Sequence, residues 1–369
     1  MLPLLSIIFV LTFAFLYKYL VFIPLIFGLF RLIGSTIVFI SFSWLIAKLI
    51  HNYISSRLLG PIPASGKAIF ITGCDSGFGY GSALELNKKG FRVFAGCLFP
   101  EGKGAKGLRS SVNYKDKLHI IKIDVTKDED IEKAFETISE QLTKSGDCLW
   151  GIVNNAGIPR VGKCEWGSFD DHYGQCFDVN VYGVVKVTRT MLPLLRMTKG
   201  SRVVTISSIN SRMTFPDTSA YSMTKAALTP FQDALRSEVD SFGIKVISVE
   251  PSFAATPILE QSRINSLYNK IYDDSTLEVK KAYPNSDKLT NGLQLLQAIP
   301  NKYLSMDKTY EIVINNIVKS LTDYEPPYRL TCCPLVISIL YSIYPILPSE
   351  WTHLILGKWL VKLSQIFGD

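Results

Sequence analysis

The chain has 369 residues, 47% of them hydrophobic, and a formal net charge of +7. That much apolar material buries one large core or two modest ones, which excludes a disordered chain. The basic residues are scattered, with no basic helix or zinc-finger spacing, which argues against a nucleic-acid partner. Four histidines in no HxH or HExxH pattern give a metal site no support, and seven cysteines without a CxxC pair read as reduced thiols.

Residues 1 to 47 carry only two charges, Lys18 and Arg31. A crossing takes about 20 apolar residues, so this stretch predicts two membrane helices, 4 to 23 and 26 to 47, with Pro24 near the turn. The apolar run is far longer than a signal-peptide core of about 7 to 15 residues, so residues 1 to 50 read as a retained anchor.

From Gly66 the pattern changes to apolar strands alternating with longer helical stretches, the signal of an α/β, doubly wound parallel sheet with crossover helices. Strands are expected at 67 to 72, 91 to 96, 118 to 123, 149 to 154, 202 to 207 and 244 to 249. Helices are expected near 79 to 90, 127 to 144, 171 to 197 and 220 to 242. Residues 256 to 324 break the alternation and read as a substrate lid within a catalytic domain spanning 66 to 325. Residues 326 to 369 form an apolar C-terminal extension broken by Pro334, Pro345 and Pro348. It reads either as segments lying in a membrane interface, with Trp351, Lys358 and Trp359 at headgroup level, or as a helix covering the core.

The glycines Gly73, Gly77, Gly79 and Gly81 stand between the first strand and the first helix. Glycine admits positive φ, and the missing side chain lets an anion approach the amides of a helix N-terminus, a setting suited to a pyrophosphate. Tyr221 and Lys225 sit four residues apart on a predicted helix, so an ammonium lies beside a phenol, where it is expected to lower the phenol's ordinary value near 10. Ser208 ends one strand, Asn154-Asn155-Ala156-Gly157 ends another, and Asp124-Val125-Thr126 ends a third. All of them fall on one rim.

With these motifs in this order over residues 66 to 255, the chain resembles the short-chain dehydrogenase/reductase family. Thr72-Gly73-Cys74-Asp75-Ser76-Gly77-Phe78-Gly79 fits the family's TGxxxGxG turn. The resemblance implies a Rossmann-like fold and a nicotinamide dinucleotide held by Thr72, Gly73, Ser76, Gly77, Phe78 and Gly79. It further implies adenine contacts from Asp124 and Val125, a pocket wall from Asn154, Ala156 and Gly157, and contacts from Pro251 and Thr256. Ser208, Tyr221 and Lys225 would be catalytic, with Asn180 holding a proton-relay water, and Tyr221 and Lys225 would also touch the cofactor. The wording of the glycine turn, Ala95-Gly96-Cys97-Leu98 and Pro326-Pro327-Tyr328-Arg329 is similar to the membrane-associated branch with retinol, hydroxysteroid and hydroxybutyrate dehydrogenases.

Two departures stand out. Pro251 is followed by Ser252 where the family has glycine, placing bulk near the expected nicotinamide. The end of the second strand carries Cys97 and Leu98 rather than an acidic residue for the adenosine ribose. Glu101 favours NAD while Lys103 and Lys106 suit the extra phosphate of NADP, and local charge leans to NAD.

The expected function is interconversion of alcohol and carbonyl on a lipophilic substrate, a steroid or retinoid, at the endoplasmic reticulum membrane or, second, a mitochondrial one. Membrane lipid is an expected partner, and a homo-oligomer is left open. The alternatives are oxidation of a small hydroxy acid, with Arg263 or Lys270 as carboxylate clamp, and a non-catalytic dinucleotide-binding module.

Overall fold

The structure is a computed structural model, and it describes residues 11–12, 14–15, 24–54, 60–254, 256–257, 260–284 and 306–354. The chain divides into two compact units, Met1–Pro61 and Ile62–Asp369.

In the first unit, helix α1 runs over Pro24–Ile54. Its window Phe30–Ala47 has mean hydropathy 1.7 and is long and apolar enough to cross a membrane. Phe30, Ile37, Phe39 and Trp44 project outward, exposed. The hydroxyls of Ser35 and Thr36 donate to Leu32 O at 2.9 and 2.7 Å, so the helix itself satisfies these two side chains. The second expected crossing, 26 to 47, thus falls inside a longer helix; the first, 4 to 23, lies almost wholly outside the described residues.

The second unit is built on a seven-stranded sheet in the order β3-β2-β1-β4-β5-β6-β7. The strands are β1 Lys67–Thr72, β2 Arg92–Cys97, β3 Leu118–Lys122, β4 Cys148–Asn154, β5 Arg202–Ile206, β6 Lys245–Pro251 and β7 Arg329–Cys332. Every pairing is parallel, which leaves both faces to be covered by crossover helices. Near-continuous apolar runs such as Ala68-Ile69-Phe70-Ile71, all at most 1% exposed, are what such two-sided burial requires. The order reverses between β1 and β4, and ligands bind beyond the carboxyl ends of the strands at such a switch point.

Helices α2 (Gly77–Lys88) and α3 (Lys103–Ser111) cover one face, and α4 (Asp128–Ser145), α5 (Val184–Arg196) and α6 (Ser219–Glu238) belong to the other. Two π-helical stretches, Asp170–Gly174 and Asp178–Gly183, lead into α5. The widened turns displace side chains from a regular helical stripe.

Beyond β6 the observed architecture departs from the sequence reading. The stretch 256 to 324, expected as a lid, divides in three. Helix α7 (Gln261–Asp273) packs around Trp166 through Ile264, Tyr268 and Ile271, and α8 (Leu277–Ala282) joins the same cluster through Val279. Residues 285–305 lie outside the described residues. Helix α9 (Met306–Thr322) is core: Val313, Ile317 and Leu321 are fully buried on the face shared with α2. A Cβ on Gly81 would sit 2.6 Å from Tyr310 Oη and 2.8 Å from Ile314 Cδ1, so the fourth glycine lets α2 and α9 close on each other.

The apolar extension also enters the fold. Arg329–Cys332 is the seventh strand, and helix α10 (Leu335–Ile343) buries Tyr341 against Ile209, Met213 and Phe215. Residues 355–369 lie outside the described residues.

Candidate active site

A cavity of about 430 Å³ opens where six strands end. The glycine turn after β1 forms its floor. Gly73 has φ +71° and Gly77 φ +60°, values that favour glycine. Ser76 caps α2 with extended backbone and no side-chain bond, leaving the first-turn amides free for a ligand. Gly73, Ser76, Gly77 and Phe78 line the cavity. The nearest heavy atoms to a Cβ on Gly77 would be those of Thr256 at 3.9 Å, an open cradle for a phosphate.

Gly79 does not line the cavity. Its Cβ would strike Gly73 O and come within 2.5 Å of Asn155 Nδ2, so its job is to let the turn close. Gly79→Ala is expected to cost about 1–3 kcal/mol by overpacking, read as a lowered midpoint in chemical unfolding; an unchanged midpoint would contradict this packing account.

Thr72 stands behind the turn, 2% exposed, and its hydroxyl accepts from Asn155 N at 3.1 Å and Ala156 N at 3.0 Å. Asn155 Nδ2 donates to Thr72 O at 2.8 Å and Gly73 O at 3.0 Å. Of the sequence Asn154-Asn155-Ala156-Gly157, the last three line the cavity while Asn154 turns away and donates to Thr188 Oγ1 at 2.8 Å. Strand alternation explains the difference: adjacent side chains at a strand end face opposite sides of the sheet.

After β3, Asp124 and Val125 line the cavity, and Asp124 Oδ1 accepts from Thr126 N at 3.0 Å and Thr126 Oγ1 at 2.7 Å, fixing the turn. Pro251 at the end of β6, and Ser252 and Thr256 beyond it, also line the cavity. Ser252, the departure from glycine, directs its hydroxyl at Cys332 O, 3.1 Å away, and its amide donates to the same carbonyl at 3.0 Å. Its bulk therefore serves the junction with β7.

Sequence reasoning missed one carboxylate. Asp75 lies inside the glycine turn, yet its Oδ2 accepts from Leu98 N at 2.8 Å and its Oδ1 from Phe99 N at 2.9 Å. An acidic group thus does stand at the end of β2, supplied from β1's loop rather than by β2 itself. The signal was the aspartate between two glycines; what hid it was the search along β2 alone. Lys103 and Lys106 are exposed and do not line the cavity.

Ser208, Tyr221 and Lys225 meet on the opposite wall. Ser208 is 7% exposed, and its oxygen caps a short 3₁₀ turn, Ile209–Ser211, by accepting from Asn210 N at 3.1 Å. Asn210 Nδ2 in turn donates to Thr218 Oγ1 at 3.3 Å and Ser222 Oγ at 3.2 Å, tying the Ser208 loop to the start of α6. Lys225 Nζ lies 5.6 Å from the Tyr221 ring centroid and donates to Ile206 O at 2.8 Å.

Burial disfavours charge on both groups. It pushes the Tyr221 phenol up to about 12, with a hydrogen bond from Ser208 opposing the shift, and lowers Lys225 to about 8. The sequence expectation that Lys225 lowers the phenol is opposed by desolvation, the largest influence on the group. Tyr221 is held as a neutral phenol at pH 7, the proton-donating form.

Asn180 is fully buried in the second π-helical stretch. Its Oδ1 accepts from Ile158 N at 2.8 Å, and its Nδ2 donates to Ile158 O at 2.9 Å and Thr224 Oγ1 at 3.1 Å. It does not line the cavity; it braces the loop after Gly157 against α6. Among the described residues no group of acidic, His and Cys side chains is placed to hold a metal.

The chain is similar to several known proteins. The short chain dehydrogenase family profile matches residues 67–266. D-beta-hydroxybutyrate dehydrogenase, mitochondrial, of Mus musculus is 45% identical over 223 residues, 60% of this chain and 64% of the relative. Estradiol 17-beta-dehydrogenase 2 of Mus musculus is 40% identical over 63% of this chain and 60% of its own length, so the chain matches less than two thirds of either relative. Retinol dehydrogenase 16 of Rattus norvegicus is 36% identical over 71% of this chain and 79% of its own. Among solved structures, a short-chain dehydrogenase from Streptomyces avermitilis aligns with TM-score 0.57 at 25% identity, covering 82% of this chain and 98% of that one. With the profile spanning the glycine turn, the Ser208, Tyr221 and Lys225 wall and the start of α7, this chain belongs to the short chain dehydrogenase family.

Proposed function

We propose that the protein interconverts an alcohol and a carbonyl on a lipophilic substrate with a nicotinamide dinucleotide. The observation that carries this is the convergence of Ser208, Tyr221 and Lys225 on the cavity that the glycine turn floors. The open cradle at Gly77 and the free amides of α2 fit a pyrophosphate, held with Gly73, Ser76 and Phe78; Asp124 and Val125 fit its adenine end and Pro251 and Thr256 its nicotinamide end. When bound, the dinucleotide supplies or takes the hydride.

In the reducing direction Tyr221 gives its phenolic proton to the carbonyl oxygen, and Ser208 donates to the same oxygen as charge develops. Lys225 presents the ammonium that steadies the phenolate left behind. In the oxidising direction Tyr221 must first lose its proton, so oxidation should quicken with rising pH until Lys225 gives up its charge near 8. Asn180 braces the loop facing these groups through Ile158.

Asp75 supports NAD. A carboxylate at the end of β2 accepts from a ribose 2′-hydroxyl and repels a 2′-phosphate. Asp75→Asn is expected to lower the NAD over NADP ratio of kcat/KM by about 10-fold or more, since a single like-charge contact is worth on the order of 1 kcal/mol or above. An unchanged ratio would remove Asp75 from cofactor choice.

The substrate class follows from the wall: Ile158, Val161, Ile209, Phe215 and Phe253 are apolar. Estradiol and retinol dehydrogenases among the relatives support a steroid or retinoid alcohol. The apolar α1 supports a membrane-held enzyme with its catalytic domain over 66–325, at the endoplasmic reticulum or a mitochondrial membrane. Assay of steroid alcohols and retinol with each dinucleotide tests the reading; no turnover of any lipophilic alcohol would sink it.

A further inference from the structure

Read from sequence, the connection between β6 and β7 serves the substrate as a lid, with Arg263 or Lys270 as a carboxylate clamp. Arg263 lines the cavity and Lys270 is exposed outside it. The far end of that connection, α9, meets the glycine turn instead.

The turn is in need of support. Helix α2 opens with Gly77-Phe78-Gly79-Tyr80-Gly81, three glycines in five residues. Each glycine costs a helix about 1 kcal/mol relative to alanine. Gly77 adds a φ of +60°, and Ser76 gives no side-chain cap. The first turn, whose free amides fit a pyrophosphate, is thus the part of α2 least able to hold its own shape.

Tyr310 on α9 supplies a hold from outside. Its hydroxyl donates to Gly77 O at 3.1 Å, and its ring stacks on Phe78 with centroids 5.7 Å apart and planes 25° from parallel. Gly77 and Phe78 line the cavity, whereas Tyr310 does not. Burial pushes the Tyr310 phenol up from its ordinary value, with Tyr80 adding to the shift, so it stays a proton-bearing donor. Gly81 makes room for it, since a Cβ there would stand 2.6 Å from the hydroxyl oxygen. The support is itself firm. Thr309, next to Tyr310 in the chain, is 1% exposed, Val313 and Ile317 are fully buried, and Leu321 O accepts from Trp150 Nε1 at 2.8 Å.

We propose that Tyr310 is a positioning residue for the dinucleotide: it fixes the first turn of α2 so that the amides there meet the pyrophosphate already aligned. This rests on the dinucleotide reading above and adds to it a residue outside the cavity. Binding to a pre-formed turn spares the entropy of ordering its glycines, so the hydroxyl acts on affinity for the dinucleotide and not on hydride transfer.

Tyr310→Phe removes the hydroxyl and keeps the ring. With the full chain in detergent, NADH binding is read by fluorescence, ADP-ribose by its competition with NADH, and stability by the midpoint of chemical unfolding. Turnover at saturating NAD is read on a panel of 3-hydroxybutyrate, a steroid alcohol and retinol. The variant should bind NADH and ADP-ribose about 3- to 10-fold more weakly, the effect of one neutral hydrogen bond, with kcat within about 2-fold of the wild type. A lowered midpoint with NADH affinity unchanged would make Tyr310 a packing residue alone and overturn the proposal. A loss for NADH that ADP-ribose does not share would overturn it too, as would a fall in kcat as large as the loss of affinity. All three outcomes leave the dinucleotide reading standing, because the wild type still binds NADH. A wild-type chain that binds neither NADH nor ADP-ribose would defeat that reading, and the proposal with it.

Discussion

Replacing Tyr221 by Phe should lower kcat by about 10²–10⁴-fold, the range expected when a positioned acid is removed from a proton transfer. The ring stays, so the wall keeps its shape, and the dinucleotide should still bind. The effect is large because Ser208 is a poor substitute: its oxygen already caps the Ile209–Ser211 turn through Asn210 N. The phenol's rise to about 12 sharpens the expectation. At neutral pH the group is a proton donor, so carbonyl reduction should run without added base while oxidation gains from higher pH. Rates in both directions across pH 6 to 9 check it. A Phe variant with near-full turnover, or oxidation that slows as pH rises from 6 to 8, would contradict the assignment.

The second large effect is on stability and lies outside the cavity. Glu250 on β6 is 1% exposed. Its carboxylate accepts from Arg329 at 2.9 Å, Ser248 Oγ at 3.1 Å and Tyr341 Oη at 2.8 Å. Arg329 also reaches both oxygens of Asp233 at 2.8 Å each. Burial raises the Asp233 carboxyl, yet the Arg236 and Arg329 guanidinia more than offset this and hold it below its ordinary value. The network joins β6, β7, α6 and α10. Arg329→Met leaves Glu250 buried and uncompensated, and should destabilise the catalytic unit by about 3–5 kcal/mol. Chemical denaturation of the full chain in detergent reads this, and pairing the change with Glu250→Gln should recover a good part of it. A loss below about 1 kcal/mol would mean that water reaches Glu250.

Tyr341 gives that network a functional side. Its hydroxyl meets Ser211 Oγ at 3.1 Å as well as Glu250, and its ring is buried with Ile209 and Phe215. The apolar extension is therefore fastened to the loop that follows Ser208.

What was legible in the sequence followed from periodicity and local chemistry. β1 to β6 fell within one or two residues of expectation because strands buried on both faces read as short apolar runs bounded by turn residues. The glycine turn and the Tyr221, Lys225 pair were legible because their geometry is set within eight residues. Features set by distant partners were not. β7 is four residues, Arg329–Cys332, and its partner lies about 80 positions earlier in β6, so the stretch read as greasy tail. α9 broke the alternation because it ends a long connection from β6 to β7 that also holds α7 and α8, and its buried stripe of Val313, Ile317 and Leu321 passed for lid. Asp75 was invisible as a β2-end acid because its carboxylate crosses from one loop to another. The phenol's shift was misjudged for a related reason: spacing shows the neighbouring cation, while burial is a property of the whole fold.

The central claim is hydride transfer from an alcohol at Tyr221 to a dinucleotide on the glycine turn, and isotope transfer tests it most directly. An alcohol deuterated at the carbinol carbon, drawn from the hydroxy-acid, steroid and retinol panel, is incubated with NAD and the full chain, and the reduced dinucleotide is weighed by mass spectrometry. The account predicts deuterium on the nicotinamide ring with the wild type and almost none with Tyr221→Phe. NADH that binds the protein while no alcohol in the panel passes its deuterium to NAD would contradict it, and would leave a dinucleotide-binding fold without this chemistry.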